Sequence, residues 1–443
     1  MPQEKMIPKR ILNQLLSALS AGVVPRTGAP YIAIGRNEEI EALLESMQRV
    51  AEGGAFVRFL IGRYGSGKSF LIQLLRGYAM ERGFLTADCD LSTDQRRLCG
   101  GNGAGLATYR ELLRNLASKA SPDGGALPVV LSRHYASILL RLAENGILPE
   151  SDAFISAFRK EVFSTFAALE GGVGGFDFAR VLSAYYMAIA EENEERKSAC
   201  LKWLRGEFSN KTEAKAELGF RVSGIVDDEN WYDYIKLWAI FARHIGYTGL
   251  IVYIDECIIL YKIVNRVARE NNYEKILTIF NDTLQGRAEG LGVIFGGTPQ
   301  FLEDTRRGLF SYEALRSRLA DSRFADTGYT TLSSPVIRLR RLSDNELYAL
   351  LSRLSKLHAM QRGEEELLSE KELQEFLSFS LSRAGASELL TPREMIRDFM
   401  TLLQILSENE NASFEELLHA KASQPKADLD EEDTGLSLSD FSL

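Results

Sequence analysis

Gly62, Gly67, Lys68 and Ser69, within FLIGRYGSGKSFLIQLLR (59–76), fall at the spacing G-x-x-x-x-G-K-[ST] of a phosphate-binding loop. Glycine tolerates positive φ, so the chain can turn tightly and aim consecutive N–H groups at an anion. A helix starting near Lys68 would bring its positive dipole end and unpaired N–H groups to the same point. Gly62, Gly65, Ser66, Gly67, Lys68, Ser69 and Phe70 are therefore the candidate nucleotide-binding residues. Lys68 would reach the β- and γ-phosphates of ATP, and the Ser69 hydroxyl would ligate Mg²⁺. A chance glycine turn is the bland alternative. The strand-like AFVRFLI (55–61) before the loop and the amphipathic helix after it argue against that.

Such a loop needs a carboxylate for Mg²⁺ at the end of a buried strand. LIVYIDE (250–256) offers one, because a continuous apolar run is how a parallel strand buried on both faces reads. Asp255 is expected to hold Mg²⁺ through water, and Glu256 to polarise the attacking water as general base. Acids at an ordinary turn are the bland alternative. Asp88 and Asp90 compete for the metal, since they end GFLTADCDLS (83–92), a weaker apolar run. Thr298, in FGGTPQF, ends a further strand, where a polar group can reach the γ-phosphate or the water; otherwise it belongs to a turn before Pro299. Arg316 and Arg318, in YEALRSRLAD, are candidates for an arginine acting on another subunit's γ-phosphate, which predicts a homo-oligomer. Exposed helix arginines are also common.

Several elements must position these groups. At 443 residues the chain is too long for one ordinary core. Strands alternating with helices around the loop predict a parallel α/β sheet. The expected segments are an N-terminal helix and lead-in (1–30), the phosphate-loop half of the core (31–120), and a mostly helical insertion (121–245). The second half of the core (246–342), a helical lid (343–421) and an acidic tail expected to be disordered (422–443) follow. The insertion is inferred because Asp255 lies much further from Ser69 than a compact core needs. APYIAIG (29–35) reads as a short strand or loop, and SPVIRLRRL (334–342) as a fifth strand. In KRILNQLLSALSAGVV, Ile11, Leu12, Leu15, Leu16 and Leu19 share one helical face, so a packed helix is expected rather than a leader peptide.

A net charge of -9 argues against a generally basic nucleic-acid surface. The four cysteines are scattered without a C-x-x-C pair, as expected of reduced thiols in a cytoplasmic protein. No apolar stretch approaches the length of a membrane span, so no membrane partner is expected.

Taken in order, GRNEE, the glycine loop, IDE, GGTP, RSRL and TPREMIRD resemble the initiator-type branch of AAA+ ATPases. That resemblance implies a P-loop AAA+ parallel sheet with a C-terminal helical lid. It gives Thr298 a sensor-1 role and prefers Arg318 as the finger. It makes Arg393, at the start of a lid helix, a sensor-2 residue, with Arg397 one turn on as fallback. More closely, MIPKRILNQLLSALSAGVVPR, LATYRELLRNLA, PDGGALP and NWYDYIKLWAIFARHIGYTGLIVYIDE resemble the ATP-binding protein of BREX-type bacterial phage-defence systems. This similarity spans about residues 6–410, and Met6 looks like the family's usual start. It implies a cytoplasmic protein acting beside other phage-defence components such as a helicase, methyltransferase or phosphatase-like protein, with DNA reached through those partners. After the lid, too few ordered residues are expected for a winged-helix domain, which argues against independent sequence-specific DNA binding.

Two functional readings result. One is an ATP-hydrolysing assembly that remodels or loads a partner; the other is a nucleotide-gated switch or scaffold with little turnover. A small-molecule kinase using Asp88 or Asp90 is a weaker third. For the tail DLDEEDTGLSLSDFSL (428–443), recruitment of another defence component, with no part in catalysis, is one reading, and a solubilising tail with no partner is the bland alternative.

Overall fold

The computed structural model describes residues 7–149, 151, 153–166, 174–321, 332–382, 391–409 and 411–422. The acidic tail therefore lies outside the described residues from 423 onward. Those described fall into two units: one within 24–343 plus 391–393, the other within 1–23, 344–390 and 394–443.

The larger unit is built on five parallel strands: β1 (Phe56–Ile61), β2 (Leu85–Asp90), β3 (Leu250–Asp255), β4 (Leu291–Gly297) and β5 (Val336–Arg338). Their order across the sheet is β2-β3-β4-β1-β5. β1, β3 and β4 are buried along their whole length, as strands covered on both faces must be. Their side chains alternate between two cores. Phe56, Leu60, Ile251, Tyr253 and Ile294 pack on one face. Val57, Phe59, Leu250, Val252, Val293 and Phe295 pack on the other. The fifth strand is shorter than its apolar pattern predicts, and of the two readings of APYIAIG the loop holds, with a 3-10 turn over Ala29–Ile32.

One core lies under α1 (Asn37–Ala51) and α2 (Lys68–Glu81). The other lies under α3 (Ala104–Arg114), α4 (Leu127–Glu144), α5 (Phe154–Phe166), α6 (Gly175–Ala190), α7 (Glu194–Leu204), α8 (Lys211–Leu218) and α9 (Trp231–His244). These helices form the long crossover from β2 to β3. They share the sheet's core: Tyr109 Oη donates to the Leu204 carbonyl at 2.6 Å and accepts Trp238 Nε1–H at 3.0 Å. α10 (Ile258–Lys262) and α11 (Arg266–Leu284) lead from β3 to β4. Past β4, α12 (Pro299–Glu303) and α13 (Glu313–Leu319) follow. A single cation interrupts the apolar run of β1. Arg58 is buried, and donates to Ser46 Oγ of α1 from Nε at 3.0 Å and from Nη2 at 2.8 Å, and to the Leu332 carbonyl at 3.2 Å. Burial pushes its pKa down to about 10.

The smaller unit is helical: Lys9–Ser20, then α14 (Asp344–Arg362), α15 (Glu370–Ser382), most of α16 (Pro392–Glu408), and α17 (Phe414–Ala422). The N-terminal helix buries Leu12, Leu15, Leu16 and Leu19, the expected stripe, with Ile11 half-buried at its edge. In α14, Leu347, Leu350, Leu351, Leu354 and Leu357 repeat at three- and four-residue steps and are buried. Phe376 and Phe399 meet with ring centroids 5.1 Å apart. Among the described residues, no helix is long and apolar enough to cross a membrane.

Candidate nucleotide site

The glycine loop leaves the carboxyl end of β1, next to β4, and ends where α2 starts at Lys68. In an open parallel sheet, the carboxyl ends of strands beside a reversal of strand order form the natural ligand crevice. Here β1 lies between β4 and β5. Gly62 N–H donates to the Gly297 carbonyl at 3.0 Å, anchoring the loop's first residue to β4. Gly65 and Gly67 adopt φ of 73° and 90°, the left-handed region that L side chains rarely enter. A Cβ on Gly62 would collide with Ser66 Oγ and approach Lys68 Cγ to 3.3 Å. At Gly67 nothing stands within 4 Å of where a Cβ would be.

Two further observations describe a cradle suited to an anion. The buried Ser66 Oγ has no hydrogen-bond partner among the described residues. Lys68 Nζ folds back onto the Gly62 carbonyl at 3.0 Å and the Arg63 carbonyl at 3.2 Å. Burial lowers the Lys68 pKa, against the pull of Asp255 and Glu256 and with help from Arg393. A desolvated ammonium among carbonyls has much to gain from a phosphate.

Ser69 Oγ donates to Asp255 Oδ2 at 2.7 Å, joining the start of α2 to the end of β3. Asp255 is 6% exposed, and its Oδ1 accepts the Glu256 N–H at 2.8 Å. Glu256 takes φ of 57°, one of two non-glycine residues in the left-handed region among those described. That conformation carries a cost of order 1 kcal/mol or more, and such strain concentrates at functional sites.

The competing acids separate. Asp88 pairs with Arg76 at 3.0 Å, which commits it to α2. Asp90 pairs in register with Asp255 at the strand ends. Desolvation, then the charges of Asp255, Asp88 and Glu256, push its carboxyl up to about 6, although the residue as a whole remains exposed to solvent.

Thr298 follows the last residue of β4, where its hydroxyl caps α12 by accepting the Phe301 N–H at 3.3 Å. Thr391–Arg393 belong with the larger unit. The Arg393 guanidinium lies 5.6 Å from the centroid of the Tyr64 ring, and a Cβ on Gly65 would stand 2.6 Å from Thr391. Arg318 is exposed and donates to the Ala314 carbonyl of its own helix at 2.7 Å. No contact described for Arg316 or Arg318 joins either to this cluster. Arg397 belongs to the smaller unit, where its stem flanks Gly22.

Two residues that the motif did not single out shape the site. Arg36 Nη2 donates to the Ser66 carbonyl at 3.1 Å, and Nη1 pairs with Glu39 at 3.1 Å, both side chains being buried. Gly296 lies against Asp255. The only prior sign of Arg36 was its place in GRNEE.

The sequence model of the BREX system ATP-binding protein BrxC/D family matches residues 7–422, and the chain belongs to that family. A search of the curated proteins gave no match.

Proposed function

We propose that this protein is an ATP-hydrolysing AAA+ P-loop protein of a bacterial antiphage system, coupling nucleotide state to the assembly or remodelling of partner proteins or DNA. The observation that carries the reading is the Ser69–Asp255 hydrogen bond. It joins, at one point, the two groups that the motif assigns to the cation from distant parts of the chain. Gly62, Gly65, Ser66, Gly67, Lys68, Ser69 and Phe70 would hold the phosphates. Ser69 and Asp255 would hold Mg²⁺, which would supply neutralisation of negative charge on the phosphates. Among the described residues, no group of three or more His, Cys, Asp or Glu side chains could hold a metal unaided.

Glu256 follows the cation carboxylate directly and would take a proton from water as general base. Thr298, whose oxygen caps α12, would orient that water with its hydroxyl proton. Arg393 would leave Tyr64 for phosphate oxygens. Arg318 would serve a neighbouring copy in a homo-oligomer. A cytoplasmic setting and recruitment of other defence components, a helicase among them, complete the proposal.

One observation favours the second reading, a switch with little turnover. The Arg318 guanidinium is engaged on its own helix. Glu256→Gln separates the two readings. Under the hydrolytic reading ATP still binds while turnover falls ~10²–10⁴-fold. Parent protein with no turnover, alone or with DNA and partners, would transfer the assignment to the switch.

A further inference from the structure

In the parallel register of β3 and β4, Ile254 pairs with Phe295, so Gly296 is next in line beside Asp255. The Gly296 carbonyl accepts the Cys257 N–H at 3.0 Å, which fixes its backbone against the turn that carries Glu256. A Cβ on Gly296 would stand 2.9 Å from Asp255 Cγ and closer still to Oδ1. The other near atom, Ile72 Cδ1 at 3.2 Å, is the mobile end of a side chain and can give way. Gly296 is not among the glycines with positive φ. What demands a glycine here is space, not backbone conformation.

The tightest contacts in that space come from one group. Asp255 Oδ1 occupies it while accepting the Glu256 N–H, which leaves Oδ2 facing the Ser69 hydroxyl. A methyl at 296 would push the carboxylate off both partners. We propose that Gly296 is a positioning residue: its missing side chain sets the angle at which the Asp255 carboxylate faces the Ser69 hydroxyl. This rests on the reading that Ser69 and Asp255 hold the divalent cation.

The test combines two measurements on the full chain. Calorimetry gives ATP affinity with Mg²⁺ and with EDTA. The parent is expected to gain affinity from Mg²⁺. Gly296→Ala is expected to keep the EDTA value while losing about 10–100-fold of Mg²⁺-dependent affinity. Denaturant unfolding of Gly296→Ala, Asp255→Ala and the double variant then forms a cycle. The alanine at 296 should destabilise the parent clearly and the Asp255→Ala background much less, since the obstructing carboxylate is gone. If Gly296→Ala alone fails to fold, the double variant should still fold.

A full Mg²⁺ gain in Gly296→Ala, or equal destabilisation in both backgrounds, would overturn the proposal while leaving the cation site intact. Failure of both alanine variants at 296 to fold would also overturn it. A parent indifferent to Mg²⁺ would overturn the cation reading, and the role of Gly296 with it.

Discussion

Arg36 holds the glycine loop from behind. Its guanidinium divides between the Ser66 carbonyl and Glu39, in a setting where the two side chains are only 7% and 6% exposed. Removing one member of a buried pair strands the other charge, so Arg36→Ala should cost about 3–5 kcal/mol of stability. Replacing both, as Arg36→Met with Glu39→Leu, should recover much of that loss in denaturant unfolding. ATP affinity should stay about tenfold low even then, because the Ser66 carbonyl has lost a charged donor. Recovery of affinity along with stability would show that Arg36 only supports the fold. The loop itself was readable because the spacing of its glycines, Lys68 and Ser69 lies along the chain. Arg36 and Gly296 were not, because each acts on an atom that only folding brings near. The left-handed backbone of Glu256 was equally hidden, since nothing in its residue type favours that angle.

Helices and strands carry a different kind of information. Buried strands showed as apolar runs and the helical crossover as three- and four-residue periodicity, so most elements were legible. Sharing of one core by the crossover helices and the sheet was not, since both read simply as apolar faces. His134 of α4 gives that packing a titratable probe. It is buried, its Nδ1 lies 3.0 Å from Tyr186 Oη of α6, and burial, with a smaller push from Arg141, lowers its pKa to about 4. The unfolded chain therefore takes up a proton between about pH 6.5 and 4 that the folded chain refuses. Stability from this site is full above that window and falls as pH drops through it, by up to about 3 kcal/mol. Urea unfolding at pH 7 and pH 4.5 should show this loss in the parent and much less of it in His134→Asn. An identical acid limb in the variant would mean that His134 is protonated without harm, and that the helices pack more loosely there than described.

At the scale of the whole molecule, the order β2-β3-β4-β1-β5 decides what meets what. It sets β4 between the loop strand and the acid-bearing strand, so Gly62 bonds to Gly297 on one side while Gly296 makes room for Asp255 on the other. No local pattern encodes that order, because the residues of a strand do not specify which strands lie beside it. The family match supplies the biological frame, and the loop geometry motivates the proposed chemistry. The central claim is that this loop binds ATP through Lys68, whose ammonium now rests on the Gly62 and Arg63 carbonyls. Calorimetric titration of the parent and Lys68→Ala with ATP and Mg²⁺, beside circular dichroism to confirm folding, tests it directly. Loss of the charged donor to the phosphates should weaken binding by at least about 100-fold, to the point of no measurable heat, in a variant that stays folded. Equal affinity in the two proteins would contradict the account.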